Sequence, residues 1–290
     1  MSFDALKQIC LAAGSDSEGF FRAVLSDDMH DRQVTEEASF ALMTKMYRAM
    51  KDADAGYESC ARSNSGFVGC DGAKMEALIG QGNAICGNFL GHVITRALKM
   101  GENNACMKRI VAAPTAGSCG VVPAVLLSYE EEWQVPESRM IEAMFVAAGI
   151  GQVIATRASI SGAEGGCQAE IGSASGMAAG ALTYLRGGSP EAIAHATAMA
   201  LKNLLGLVCD PVGGLVEVPC VKRNVIGAVN AVAASEMAMA GITSAIPPDE
   251  VIDAMQSVGR KMDASLRETG EGGLAATPTA KRLVAELLGH

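Results

Sequence analysis

Residues 161–185 read Ser161-Gly-Ala-Glu164-Gly-Gly-Cys167-Gln-Ala-Glu170-Ile-Gly-Ser173-Ala-Ser-Gly-Met-Ala-Ala-Gly-Ala-Leu-Thr-Tyr-Leu185. A polar, glycine-rich loop holding a cysteine runs into a segment of small apolar residues. Alanine favours helix, and glycine beside it removes the side chain that would keep a neighbouring helix away. No convincing alternation of apolar and polar residues marks a strand anywhere in the chain. The expectation is an all-α protein of close-packed Ala- and Gly-rich helices, one compact domain over 1–290, with its Gly-rich loops gathered on one side.

Downstream, Ser189-Pro190-Glu191 is a helix start, with Ser as N-cap and Pro at the first helical position. That helix is expected to reach Leu205, where Gly206 ends it. A loop over 209–223 follows, then a helix over 224–244, and Pro247-Pro248 opens another to about Leu266. A polar Gly-rich tail over 267–279 leads to a last short helix. Upstream, Pro136 begins a helix to about Arg157. Ala113-Pro-Thr115-Ala-Gly117-Ser118-Cys119-Gly120 is a loop feeding a helix start. One long helix is expected over 73–101, with Gly101-Glu-Asn-Asn as its stop. Ala38, Leu42, Met46 and Met50 place an apolar stripe at helical spacing on a helix over 33–54. Two short helices, 3–14 and 17–28, open the chain.

The 290 residues hold 33 glycines and 16 methionines, and 49% are apolar. Glycine averages roughly 7% in ordinary proteins. The net charge of -9, with no Lys/Arg cluster longer than a pair, argues against nucleic acid as a partner. The two most apolar runs carry Glu142 and Gln152, and Asn230, Ser235 and Glu236, so both read as buried helices rather than membrane spans. Nine cysteines, with no signal peptide recognised before them, fit free thiols in a reducing cytoplasm better than a disulfide framework.

Three cysteines, Cys167, Cys209 and Cys220, lie beside Gly, Pro and acidic residues rather than inside apolar runs. Thiolates suit soft metals, zinc and iron–sulfur clusters. Three leave one coordination position open, which suits a catalyst. The competing reading is three structural free thiols. Zinc with a fourth ligand from His92 or His195 is a further alternative, though a His among apolar neighbours more often packs and hydrogen-bonds. Cys10, Cys86 and Cys106 read as packing residues. Glu164, Glu170, Asp210 and Glu217 flank the three thiols and are either proton carriers or solvated loop charges. Lys74 has the same ambiguity. Thr115, Gly117 and Ser118 form a candidate anion loop at a helix start, or an ordinary Ser-capped loop. Arg223 and Asn224 either fork onto a carboxylate or cap the following helix.

The segments Ala113-Pro-Thr-Ala-Gly-Ser-Cys-Gly-Val-Val-Pro-Ala, Gly165-Gly-Cys-Gln-Ala-Glu-Ile-Gly, Gly206–Asn224 and Glu268-Thr-Gly-Glu-Gly-Gly-Leu-Ala resemble the alpha chain of bacterial iron–sulfur-dependent L-serine dehydratase. The likeness spans nearly the whole chain. It implies a [4Fe–4S] cluster held by Cys167, Cys209 and Cys220, with an open iron that assists loss of water from L-serine to give pyruvate and ammonia. The family's second region, with a Ser-Ser-His-Thr-type substrate motif, has no counterpart here. A separate beta chain in a hetero-oligomer is therefore implied, and it is a candidate source of the base. The terminal cysteine of single-chain relatives is also absent; this chain ends in His290. Two rival functions remain: a related lyase acting on another β-substituted amino acid, such as a cysteine desulfidase or threonine dehydratase, and a non-catalytic metal-binding helical module.

Overall fold

The structure, a computed structural model, describes residues 2–289. Thirteen α-helices are joined by loops, and among the described residues only two isolated β-bridges occur, Arg62 with Gly69 and Cys209 with Arg267. Chain order is α1 (Leu6–Ala13), α2 (Gly19–Arg32), α3 (Glu36–Ala55), α4 (Asp71–Gly80), α5 (Gly87–Ala105), α6 (Val121–Trp133) and α7 (Glu137–Arg157). It continues with α8 (Gly162–Gly165), α9 (Ser173–Leu185), α10 (Pro190–Asn203), α11 (Cys220–Met239), α12 (Pro248–Lys261) and α13 (Pro278–Leu288).

The Ala/Gly segment that opens the sequence reading is the central helix. All of α9 except its last residue is buried, and it packs against α7, α10, α11 and α6. Small residues make this possible. A Cβ on Gly176 would stand 3.3 Å from Leu201 Cγ, and one on Gly227 only 2.8 Å from Ile171 Cγ2 and 2.9 Å from Val121 Cγ2. Two polar side chains of α9 are satisfied by backbone: Ser175 Oγ donates to Gly227 O at 2.7 Å and Thr183 Oγ1 to Ala179 O at 2.8 Å. The helix over 137–157 is long and apolar enough to cross a bilayer by length and composition. Its apolar residues are instead covered by α9, α2 and α3. One continuous core runs from Leu6 to Met255.

Start signals hold well. Ser189 accepts from Ala192 N, and Thr35 and Thr277 cap α3 and α13 in the same way. Other boundaries move. The helix expected over 73–101 is broken: α4 ends at Gly80, and the turn before α5 places Gly82 and Gly87 at φ 71° and 72°, a conformation that a β-carbon disfavours. The expected stop at Gly101-Glu-Asn-Asn is instead buried helix. Glu102 accepts from the N–H groups of Asp71 at 2.7 Å and Gly72 at 3.2 Å, capping α4, and Asn103 Nδ2 donates to Ala53 O at 2.7 Å. The first two helices are shifted, 6–13 and 19–32 rather than 3–14 and 17–28. The helix expected over 224–244 runs from Cys220 to Met239. At the outer end of α6, Trp133 stacks 4.5 Å from Tyr129 and 4.9 Å from Phe89 and stays half exposed.

Two glycines test the close-packing argument. Gly227→Val should destabilise the fold by about 1–3 kcal/mol, because the added carbons meet α6 and the 168–172 turn. Gly80→Ala, in open space at the end of α4, should be neutral or stabilising by up to about 1 kcal/mol. Urea unfolding followed by circular dichroism measures both.

Candidate active site

Five loops converge where α9 and α11 begin. The first carries Cys167. The short α8 ends at Gly166, whose φ of 75° reverses the chain; a Cβ there would stand 2.9 Å from Leu207 O. A single π-type turn over 168–172 then joins Cys167 to α9. Gln168, 1% exposed, locks the turn: its N–H donates to Leu207 O, its Oε1 accepts from Gly206 N, and its Nε2 donates to Met255 O, each at 2.9 Å. The second loop carries Cys209, whose N–H donates to Leu266 O at 2.8 Å and whose carbonyl accepts from Glu268 N at 2.7 Å. The Gly-rich tail is thereby laced along the cysteine loop as a short parallel bridge. Cys220 is the first residue of α11.

All three thiols are buried, at 2%, 2% and 7% exposure for Cys167, Cys209 and Cys220. They lie within one another's electrostatic reach. Burial pushes Cys167 and Cys220 up to about 12, and the neighbouring carboxyl of Glu170 adds to the rise in both. Cys209 is raised further, by burial first and then by Cys167, Glu170, Glu268 and Cys220. Arg223 opposes the rise at Cys167 and Cys220. The guanidinium is itself held: Nη1 lies 2.8 Å from Asp210 Oδ1 and donates to Val208 O at 2.7 Å. Asp210, 3% exposed, accepts from Leu274 N through Oδ2 at 2.8 Å. Its Oδ1 faces Arg223 out of line and has no hydrogen-bond donor.

Thr115, Gly117, Glu170 and Asn224 meet beside these thiols. Thr115 Oγ1 donates to Glu170 Oε1 at 2.8 Å, and Cys209 Sγ is 3.9 Å from Glu170 Oε2. Burial raises the Glu170 carboxyl above the ordinary glutamate range, with Glu268 adding to the rise and Thr115 opposing it. Asn224, 1% exposed, donates to Gly117 O at 2.8 Å and to Cys220 O at 3.0 Å, and accepts from Gly120 N at 2.8 Å. The first N–H before α6 is therefore plugged by an amide. Ser118 is fully buried and closes the loop on Thr115 rather than capping α6.

The remaining candidates are placed elsewhere. Lys74 is exposed on α4, paired with Asp71 at 2.7 Å. Glu164 is exposed on α8, lining a small cleft with Arg260 and Gln256. His195 accepts from Ser244 N at 3.3 Å, the packing role expected of it. The carboxylates of Asp210 and Glu217 are buried rather than solvated. Glu217 accepts from Ser63 Oγ at 2.7 Å and from Ser65 Oγ, which pins the 63–72 loop to the cysteine loop. Sequence reasoning missed this pair of serines, and also Arg267 and Glu268. A Gly-rich tail of thirteen residues, 267–279, is itself a signal, because long loops are uncommon in compact domains unless functional.

The donor chemistry fits an iron–sulfur group. Three buried thiols would lose their protons on ligation, and Arg223 supplies a compensating positive charge. Among the described residues no three His, Cys, Asp or Glu side chains close tightly enough to grip a single ion.

Residues 17–275 match the family model described as serine dehydratase alpha chain. The chain is similar to the probable L-serine dehydratase, alpha chain, of Bacillus subtilis (strain 168), at 49% identity over 92% of this chain and 89% of that protein. It is 52% identical to the probable L-serine dehydratase, alpha chain, of Latilactobacillus sakei over 68% of this chain and 94% of that protein. The L-serine dehydratase TdcG of Escherichia coli (strain K12) is 46% identical over 65% of this chain and 42% of its own length.

Asn224→Ala removes the amide that joins the 113–120 loop to α11. Each buried partner left unsatisfied costs about 1–3 kcal/mol. The variant should unfold at lower denaturant and show faster amide exchange confined to Gly117–Gly120.

Proposed function

The chain belongs to the serine dehydratase alpha chain family, and from that premise we propose that it is the alpha subunit of an L-serine dehydratase. Such an enzyme converts L-serine to pyruvate and ammonia. The Cα–H bond breaks, its electrons form the Cα=Cβ double bond, and the β-hydroxyl leaves as water. The aminoacrylate then tautomerises and is hydrolysed. The observation that supports the reading is the burial of Cys167, Cys209 and Cys220 within electrostatic reach of one another and of the buried carboxyl of Glu170, whose Oε2 lies 3.9 Å from Cys209 Sγ.

In this reading the three cysteines hold a [4Fe–4S] cluster. When bound, the cluster supplies a Lewis-acidic iron that favours departure of a hydroxyl oxygen. The chain's own side chains take the following roles. Thr115 and the 115–118 loop, with Arg223 and Asn224 behind them, hold the carboxylate of serine. Glu170 moves the proton: its pKa is raised toward the working range of a base, as catalysis by a carboxyl requires. Thr115, donating to Oε1, holds Glu170 in one rotamer. Asp210 acts through Arg223 as a positioning residue. Glu164 and Lys74, both at the surface, are left without a role.

The Bacillus subtilis and Latilactobacillus sakei relatives are named as alpha chains, and the Escherichia coli protein extends well beyond the matched region. Both support a separate beta chain that completes the pocket in a hetero-oligomer. Nine free thiols support a reducing cytoplasm as its place.

Anaerobic reconstitution with iron and sulfide, then assay of pyruvate from L-serine with the beta chain present, tests the function. Turnover of serine above threonine and cysteine is expected; a chain that takes up no iron and sulfide refutes the cluster reading. Ala in place of Cys167, Cys209 or Cys220 should abolish the visible absorbance and pyruvate release while helical dichroism persists. Cys10→Ala should cost only about 1 kcal/mol of stability. Glu170→Gln should take up iron normally yet lower kcat by roughly 10²–10⁴-fold, the usual contribution of a positioned base.

A further inference from the structure

A largely apolar cleft lies away from the thiols. About 310 Å³ of half-open space lies between α3, α7 and the 111–114 segment. Its walls are Met43, Met50, Met144, Phe145, Val122 and Met177, so it offers flexible thioethers and one ring to an apolar body. One end is different. Asp28, 6% exposed, and Arg32 reach the cavity from α2, joined at 2.9 Å, and the buried hydroxyl of Ser39 donates to the same carboxylate. An ionised carboxylate has about four acceptor sites, so Asp28 keeps capacity for a further donor.

We propose that this cavity binds an α-amino acid with an apolar side chain. The ligand's ammonium meets Asp28, its carboxylate meets Arg32, and its side chain lies among the methionines and Phe145. The volume is at the lower end of the range for small-molecule pockets, which suits a single amino acid. The cavity also has a physical line to the thiol site. Pro114, in its wall, directly precedes Thr115. Met177, also in its wall, lies two turns along the continuous helical run from Glu170. The two ends of the Thr115–Glu170 hydrogen bond are thus extensions of two walls of one cavity. A ligand that spreads or draws together those walls changes that bond, which is the differential contact an effector needs.

Calorimetric titration of the purified chain with L-leucine, L-isoleucine, L-methionine and L-phenylalanine tests the proposal. Binding is read directly, so the result is independent of the serine reaction. At least one of the four should bind with a stoichiometry of one and slow amide exchange over 113–120. Arg32→Met, which removes the carboxylate partner, and Ala148→Phe, which fills the cavity, should each weaken it at least tenfold. No binding by any of the four at millimolar concentration overturns the proposal. So does binding that both variants leave unchanged. Protection of the cavity residues only when the beta chain is added, with no amino acid bound, would mark a protein-docking groove and equally overturn it.

Discussion

The buried pairing of Asp210 with Arg223 is the interaction on which the thiol site depends. A charge pair taken out of water gains little unless its remaining hydrogen-bonding capacity is met. Here Leu274 N–H completes one side of Asp210, and Val208 C=O accepts from Arg223. The partners come from three segments: Val208 and Asp210 from the cysteine loop, Arg223 from the first turn of α11 and Leu274 from the Gly-rich tail. A single pair therefore fixes three backbones around the sulfurs. Breaking either charge would leave the other stranded in a space with little water, at a cost of several kcal/mol.

Glycine makes that arrangement fit. The chain at Gly273 passes so close to Asp210 Oδ2 that no β-carbon has room, and its φ of 55° is one that glycine adopts freely. The tail can therefore present its N–H groups to a carboxylate at backbone distance. Deeper in the bundle the same absence of a side chain lets α9 and α11 approach until Ser175 reaches the backbone of Gly227. The site stands at the ends of helices whose spacing is set by the smallest residues.

Much of this was legible in the amino-acid order because it rests on local chemistry. Cys167, Cys209 and Cys220 stand beside Gly and Pro, so their loop setting was visible, and the Ala/Gly run over 173–185 reads as helix in any context. Ser189-Pro190 is a start signal that needs no partner. What escaped is tertiary. Glu102 looks like a polar stop until the unpaired N–H groups of α4 are known to lie against it. Gly82 reads equally as a packing glycine or a left-handed turn. Asn224 and Arg223 look like a pair, yet Asn224 turns inward to the 113–120 loop and Arg223 to Asp210 and Val208. Glu268 and Arg267 lie in a tail whose motif was visible, but their place beside Cys209 was not, because it follows from a bridge between residues far apart in the chain.

The stacked aromatic corner around Trp133 has a spectroscopic meaning. The chain has a single tryptophan, and it stands at the far end of α6 from Gly120, about 20 Å away at a rise of roughly 1.5 Å per residue. Its emission answers to the integrity of the bundle and to the Tyr129 and Phe89 rings beside it. The 113–120 loop lies at the other end of α6, so the indole reports on the helix and its aromatic neighbours rather than on that loop, with no label added.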